Sequence, residues 1–567
     1  MTDLRAAWRR VALRLPGWDL RVLYVALLVQ GGVAMWLGGR GWFSGDLLHY
    51  FVARGGAPGA TESLMEPHAA HWQLTLVLFY VVLFKLIGLS SYLPYLAVTV
   101  LVHLALVVVA HRLLLRLGAH PLAALASALV LLTYGAGSEA FLVEAPVALT
   151  SSMLLGAIAV LLLVRNDHDR RSTVLASVLL LVGCTISLGG VVAAVWVGVF
   201  ALTRGVWHML QVVALPAVAF LGWYAVWGRG STRILLSREE TLQVPESAAT
   251  LLSLPFDNVT GGWGAGPVLV LAVLVAVAYG SRRRPLLVQV TIAGIAGATF
   301  HAVVSAVAQL PYGIEQVTTS RYRYVVLLLL LPGLALVLDT LVTVAARRFG
   351  RAERRPAVAL GLVVVALLTT HAALGQYRVG QSVLSIGDLT RQHLAGTTLA
   401  VAAGEKLLTD AVRGSYISGE DLERLADPAL REELPDLDPT ERDRIEAENN
   451  YFVAVTGDEL ELAPPAGVAS DSFAPSLLER AGCRSYTATN ATPTLVLTSY
   501  LGTGLRFRGD AGSVLTRLSR PDEDVRADPV EWRTTPGAWT YVATTAQLAE
   551  LSVTFDAGGT YTFCFGD

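Results

Sequence analysis

Long apolar runs separated by short polar segments dominate the first two thirds of the chain. A run of ~20 apolar residues is long enough to cross a bilayer as a helix. The pattern therefore predicts a polytopic α-helical membrane protein with about 11 to 13 spanning helices. The candidate spans are residues 20–38, 72–90, 94–115, 119–136, 143–164, 173–187, 188–203, 208–227, 267–280, 285–310, 324–345 and 357–376.

Arginine clusters predict the orientation of these helices, because Lys and Arg accumulate in cytoplasmic loops. Arginines before the first run place the N-terminus in the cytoplasm, and that run is typical of a signal anchor. Further clusters at 165–171, 282–284 and 347–355 mark cytoplasmic loops. The whole chain after residue 376 is then expected on the outer side of the cell membrane.

The number of apolar runs before Arg112 conflicts with the orientation that the arginines predict. Arg112 and Arg116 favour the cytoplasmic side, but the three apolar runs before them lead to the outer side. Two explanations remain open. Either run 72–90 packs re-entrantly without crossing, or the pair of spans at 173–203 is miscounted.

The pattern changes at about residue 378, which predicts three domains. Residues 1–377 form the transmembrane domain, and 378–482 form a mixed linker and helical region that is acidic at 418–448. In 483–567, short alternating segments are separated by Gly, Pro and Asp turns. This alternation predicts a mainly-β, sandwich-like domain outside the cytoplasm.

Composition supports a membrane protein and argues against a nucleic-acid partner. Of the 567 residues, 16% are charged and 54% are hydrophobic, whereas soluble domains carry roughly 25% charged residues. The net charge of -2 provides no basic field that would attract a nucleic acid. Cys483 and Cys564 lie in the polar C-terminal region, where they form either a disulfide in an oxidising compartment or two separate thiols.

The first loop carries acids and histidines beside the membrane, where uncompensated polar groups are costly. Asp46 is a candidate general base or cation ligand, or alternatively the cap of an interfacial helix. His68 and His71 have a spacing that allows both rings on one helical face, with Glu66 orienting one of them. This set lacks the H-E-x-x-H pattern, which favours hydrogen bonding to an acceptor or phosphate over metal binding.

Arg321 and Arg323 precede a late apolar run on the predicted outer side. Their side chains either snorkel to the headgroups or bind a lipid phosphate, whose oxygens match the guanidinium fork. Arg233, in the loop 228–266, could join such a site. Glu139 is either an intramembrane carboxylate with a function or a headgroup-level residue.

The chain resembles GT-C-type glycosyltransferases, which are polytopic enzymes that use polyprenyl-phosphate-linked sugars. The resemblance rests on GDLLHY around Asp46, EPHAAHW over Glu66–Trp72 and SRYRY over Ser320–Tyr324, and in layout it covers 1–345. Many members carry two adjacent acids in the first loop, whereas this chain has Gly45 before Asp46. Dependence on a divalent cation (Mg or Mn) therefore stays open. The C-terminal region is similar in architecture to outer carbohydrate-binding modules of actinobacterial cell-wall transferases.

The resemblance implies an inverting transfer of sugar from a polyprenyl-phosphate donor to a glycan or lipid acceptor at the outer face of the bilayer. It implies Asp46 as the base, Arg321 and Arg323 as ligands of the donor phosphate, and Glu66 and His71 as part of the acceptor lining. From their own positions in the chain, Arg233 is a further candidate for the donor phosphate, and His68 and Glu139 are further candidates for the acceptor lining. The alternatives are a lipid or sugar transporter or flippase, and a non-catalytic envelope-binding protein; acids in outer loops favour an enzyme.

Overall fold

The computed structural model describes most of residues 17–348 and shorter pieces after them. The chain divides into two compact units, which are Met1–Gly41, Glu62–Leu83 and Tyr92–Ser385 for the first, and Trp42–Thr61, Phe84–Ser91 and Ile386–Asp567 for the second. The described residues are 17–57, 60, 62–68, 71–143, 147–165, 169–230, 236, 238–262, 264–310, 313–348, 387–388, 390–392, 394–399, 419–427, 430, 434–435 and the backbone of the strands given below.

Helices account for almost all regular structure up to residue 348. They are α1 (Trp18–Gly38), α2 (Gly45–Ala53), α3 (Leu74–Ile87), α4 (Leu93–Arg116), α5 (Pro121–Leu132), α6 (Glu139–Leu142), α7 (Val147–Arg165), α8 (Arg170–Cys184), α9 (Gly189–Leu202), α10 (Val206–Val226), α11 (Arg238–Val259), α12 (Gly266–Gly280), α13 (Pro285–Gln309), α14 (Ile314–Val317) and α15 (Ser320–Arg348). Short 3-10 turns occupy Gly135–Gly137 and Gly228–Gly230.

Several of these helices are long and apolar enough to cross a membrane. In the described part of the chain, six meet both criteria: Asp19–Gly38, Leu93–Arg116, Val147–Arg165, Val206–Val226, Pro285–Gln309 and Ser320–Val344. Shorter apolar helices are Leu74–Ile87, Pro121–Leu132, Gly189–Leu202 and Gly266–Gly280. The prediction of a polytopic helical membrane protein is therefore supported. The predicted total of spans includes 357–376, which lies outside the described residues.

Contacts within the first unit define two ends of its helix bundle. At one end, Asp19 at the start of α1 lies 3.5 Å from His111 near the end of α4. At this same end, the Asp339 carboxylate accepts a hydrogen bond from the backbone N–H of His120 (2.8 Å). The Arg284 guanidinium donates to both oxygens of the same carboxylate (3.1 and 3.2 Å). We call this the basic end, because arginines flank each of its described connections: Arg112, Arg116, Arg165, Arg170, Arg171, Arg204, Arg282, Arg283 and Arg284.

At the opposite end, which we call the Arg321 end, lie the starts of α6, α7, α12 and α15. Arg321 at the start of α15 contacts Glu139 at the start of α6 (3.1 Å). Thr150 near the start of α7 donates to the carbonyl of Ala140 (3.1 Å). The start of α12 also lies at this end, where Gly266 N–H donates to Asp257.

The position of α3 favours one of the two explanations for the conflicting number of early crossings. Thr75 at the start of α3 bonds Thr185 (2.6 Å between hydroxyl oxygens), beside the end of α8 and at the Arg321 end. The next helix, α4, also begins at that end, because α4 finishes at the basic end beside Asp19. The α3 segment therefore makes no net crossing of the bundle. Of the two open explanations, the non-crossing run 72–90 is supported, and the pair at 173–203 is present as α8 and α9.

Local sequence signals set several helix boundaries. Ser44 accepts the N–H of Leu47 (3.4 Å) and caps α2, so the helix starts at Gly45 and Asp46 lies in its first turn. The prediction that a helix starts at this point is confirmed, but its cap is Ser44 and not Asp46. Gly118 follows α4 at φ +84°, a left-handed conformation in which glycine costs least.

The segment predicted as the long loop 228–266 contains helix α11. This helix carries Pro245 and Pro255 and mixes polar with apolar residues, so neither hydropathy nor proline rules predicted it. Asp257 and Asn258 therefore lie on a helix and not on an irregular loop.

The second unit contains α2 and a later helix, α16 (Gly419–Leu425). Its described C-terminal backbone consists of β1 (Gly482–Ala488), β2 (Thr494–Ser499), β3 (Gly504–Arg508), β4 (Gly512–Ser519), β5 (Val530–Thr534), β6 (Thr540–Ala543), β7 (Ala549–Phe555) and β8 (Gly559–Phe565). The strand pairing is antiparallel, in the orders β1-β8-β3-β6 and β2-β7-β4-β5.

Candidate functional site

Glu139 and Arg321 form an ion pair at the Arg321 end. The Arg321 guanidinium donates to one Glu139 oxygen (3.1 Å), and the Arg321 backbone N–H donates to the other (3.3 Å). Ser320 accepts the backbone N–H of Glu139 (3.2 Å). The two side chains are 23% and 13% exposed for arginine and glutamate, so the pair is largely shielded from water. The structure thus brings together two residues that the sequence assigned to separate roles.

Arg323, one half turn further along α15, has a different environment. It donates to the carbonyl of Thr318 and to the side-chain oxygen of Asn258 (3.4 Å). Both acceptors are neutral, so in the described part of the chain no carboxylate balances this cation. A partly buried arginine of this kind favours an anionic ligand.

Tyr134 completes the Arg323 cluster, which we define as Tyr134, Asn258, Thr318 and Arg323. Its hydroxyl donates to the same Asn258 oxygen (3.1 Å). A phenol is protonated at neutral pH, so the Tyr134 hydroxyl acts as the donor in this contact.

A buried chain of hydrogen bonds, from Tyr324 through His103 to the carbonyl of Leu132, holds the start of α15 against its neighbouring helices. Tyr324 lies 2.7 Å from Nδ1 of His103, whose Nε2 lies 3.2 Å from the carbonyl of Leu132. A carbonyl only accepts, so Nε2 carries the proton and the Tyr324 hydroxyl donates to Nδ1. At Gly137, an added Cβ would lie 2.6 Å from the Tyr134 ring and 2.8 Å from the Tyr324 ring. Only glycine allows the two tyrosines to pack this closely.

Asp46 lies in the second unit, on α2. Almost all of this helix is buried, and its two partly exposed residues are Asp46 and His49. Positions three apart lie on the same side of a helix, so the two side chains form one open stripe. His49 Nδ1 lies 3.0 Å from a carboxylate oxygen of Asp421, a buried residue of α16.

Glu66, His68 and His71 adopt a geometry other than the predicted one. His68 and His71 exchange backbone hydrogen bonds (3.1 and 2.8 Å) in an isolated β-bridge, so the prediction of one helical face is wrong. Paired backbone hydrogen bonds between these two residues are not those of a helix, in which each N–H donates to the carbonyl four residues earlier. Nδ1 of His71 accepts the N–H of Leu188 (3.4 Å), and Glu66 accepts the N–H of Ser63 (3.3 Å).

Other predicted residues have no described side chain. Arg233 lies outside the described residues, and for Cys483 and Cys564 only the backbone is described. The two cysteines are directly opposite each other in the antiparallel register of β1 and β8. Within the described ranges, no group of three or more His, Cys, Asp or Glu side chains is arranged to hold a metal ion.

Sequence reasoning missed Tyr134, Asn258 and Asp421 as partners of the predicted residues. Asn258 lies in the predicted loop 228–266, and Asp421 lies in a segment in which acids are frequent. No local signal identifies either residue, since each meets its partner across 65 and 372 positions of chain.

The fold and these clusters define a mostly helical protein with several helices able to cross a membrane. No protein-family model, curated protein or solved structure matches the chain.

Proposed function

We propose that the protein is a membrane glycosyltransferase that moves a sugar from a polyprenyl-phosphate donor to a glycan or lipid acceptor. The observation that carries the proposal is Arg323, a partly buried cation whose described partners are neutral oxygens. A guanidinium in this situation gains most from a phosphate, which accepts charge-assisted hydrogen bonds. Its place at the first turn of an apolar helix suits a phosphate attached to a lipid.

Arg321 takes a supporting role in this proposal. Glu139 already balances its charge, so the pair orders the start of α15 and holds Arg323 in place. Glu139 is thereby reassigned from the acceptor lining to the support of the donor site. Arg233 remains a further candidate ligand of the phosphate.

Asp46 remains the proposed base. In this reaction its carboxylate takes the proton of an acceptor hydroxyl, whose oxygen forms a bond to the anomeric carbon of the sugar. The bond from that carbon to the phosphate oxygen breaks, and polyprenyl phosphate leaves. Attack from the opposite side inverts the anomeric configuration. The partial exposure of Asp46 on a buried helix is compatible with this role.

The arginine distribution supports an orientation with the basic end in the cytoplasm and the Arg321 end outside. With a further span at 357–376, the C-terminal region emerges at the outer face of the cell membrane, as proposed for 483–567. The strand orders β1-β8-β3-β6 and β2-β7-β4-β5 correspond to a jelly roll, an arrangement found in lectin domains. We propose that this region contacts the glycan acceptor.

The test is complementation of a deletion strain, with mass spectrometry of its lipid-linked sugars and envelope glycans. Variants Asp46→Asn and Arg323→Gln are expected to lose transfer by at least ~100-fold, as for removal of a base or of a charge-stabilising donor. Arg323→Lys keeps the charge but not the fork and should retain partial activity. Arg40→Gln is the matched control, because Arg40 is exposed and lies over the ring of Trp36.

Two outcomes would contradict the proposal. Normal glycans in a strain that carries Asp46→Asn at wild-type protein levels would exclude Asp46 as the base. Accumulation of an unmodified lipid-linked sugar on the cytoplasmic face, with transferase activity intact in broken membranes, would indicate a flippase instead.

A further inference from the structure

His49 and Asp421 join two parts of the second unit that are 372 positions apart in the chain. The 3.0 Å contact links α2, which carries Asp46, to α16. The neighbouring leucines Leu422 and Leu425 of α16 are fully buried. At Gly387, an added Cβ would lie 2.4 Å from the carbonyl oxygen of Trp42, so a second segment of the same unit packs against the residues before α2.

The direction of this hydrogen bond, from His49 to Asp421, follows from the chemistry of the two side chains. Asp421 is only 3% exposed, and a buried carboxylate is costly unless it accepts hydrogen bonds. An ionised carboxylate only accepts, so Nδ1 of His49 carries the proton and donates it to Asp421. This bond fixes the ring of His49 and thereby the rotation of α2 about its axis.

The rotation of α2 determines where Asp46 points. Asp46 and His49 share the open stripe of the helix, while the other described residues of α2 are buried. A helix held by apolar contacts alone can slide or rotate slightly, whereas a hydrogen bond to a buried carboxylate restricts it to one position.

We propose that His49 and Asp421 are positioning residues for Asp46, so that α16 fixes the orientation of this carboxylate on α2. This inference rests on the proposed function for its effect on catalysis. The physical coupling of α2 to α16 can be measured without any transferase assay.

The experiment uses the full-length protein in nanodiscs and four variants. Asp421→Asn and His49→Gln keep the size of each side chain but weaken the contact, and the exchanged pair His49→Asp with Asp421→His restores it in reverse. The control is Asp427→Asn, because Asp427 is an exposed aspartate just beyond α16. Hydrogen exchange of residues 45–53 is measured for each protein, followed by the rate and KM of sugar transfer.

We expect hydrogen exchange in α2 to become about tenfold faster in each single variant, because local opening becomes easier when a charge-assisted hydrogen bond is lost. In the exchanged pair the exchange rate should return towards that of the wild type. The rate constant should fall about tenfold with little change in KM, and Asp427→Asn should change neither quantity. Unaltered exchange in both single variants would overturn the inference. If exchange is faster in the single variants but Asp46→Asn is fully active, the coupling of α2 to α16 stands and the proposed function is refuted instead.

Discussion

At the scale of single residues, two arginines of the same helix turn differ in how their charge is balanced. Arg321 has the carboxylate of Glu139, whereas Arg323 has the neutral oxygens of Asn258 and Thr318. The sequence predicted both as phosphate ligands, because nothing in S-R-Y-R-Y distinguishes them. The difference depends on which helix end meets each side chain, and that is set by tertiary packing.

We predict that Glu139→Gln destabilises the protein by about 1–3 kcal/mol, since it leaves a shielded guanidinium without its carboxylate. The double variant Glu139→Gln with Arg321→Gln should recover part of this loss, because two neutral side chains can still share a hydrogen bond. Thermal unfolding in detergent measures both. Strictly additive losses in the double variant would show that the two residues do not interact.

At the scale of elements, close helix contacts depend on small residues. An added Cβ at Gly294 of α13 would lie 2.1 Å from the carbonyl oxygen of Leu329 on α15. Backbone atoms cannot change rotamer, so the two helices would have to separate. In membranes, glycines at such crossings allow the close approach from which packing energy arises.

We therefore predict that Gly294→Ala destabilises the bundle by about 1–3 kcal/mol, the usual cost of overpacking. The matched control is Gly222→Ala on α10, where an added Cβ would meet nothing within 4 Å. Alanine there should be neutral or stabilising by roughly 0.5–1 kcal/mol, because it restricts the unfolded chain. The comparison requires thermal unfolding of both variants in the same detergent. Equal effects would contradict the assigned contact.

Most helices could be predicted from the sequence, because apolar runs of spanning length have few alternative structures. The boundaries of α1, α4 and α13 differ from the predicted runs by a few residues at most. The exception is α11, whose mixed polarity and two prolines conceal a helix that is stabilised by its neighbours in the fold. Asn258 is carried on α11, and the Arg323 cluster could not be predicted without it.

The register of β1 and β8 supports the disulfide prediction. Opposite residues of an antiparallel pair have Cα atoms about 4.5–5.5 Å apart, within the range that a disulfide spans. We predict that Cys483 and Cys564 are bonded in protein isolated from cells without reductant. Peptide mass mapping under non-reducing conditions tests this, with Cys184, which is buried and free, as the internal thiol control. Alkylation of both cysteines before reduction would contradict the prediction.

At the scale of the whole molecule, the direction of each helix follows from a few polar contacts at the bundle ends. Hydropathy alone left the parity unresolved, since a run of 14 residues such as α3 is apolar enough to resemble a span. The contact of Thr75 with Thr185 places the start of α3 at the Arg321 end, and the contact of Asp19 with His111 places the start of α4 at that end as well. Once α3 is removed from the crossings, the connections flanked by Arg112 and Arg116, by Arg165 and Arg170, by Arg204 and by Arg282–Arg284 all fall at the basic end.

This arrangement gives a topology that labelling can test. Ser281 lies at the basic end, between α12 and α13, and Glu315 on α14 lies at the Arg321 end, and both are exposed. With the basic end in the cytoplasm, a membrane-impermeant maleimide should label Glu315→Cys in intact cells. It should label Ser281→Cys only after permeabilisation. The unsubstituted protein gives the background from its own cysteines. The reverse pattern would place Arg323 on the cytoplasmic side, where an outer-face transfer reaction is impossible, and the proposed donor site would then have to face a cytoplasmic substrate.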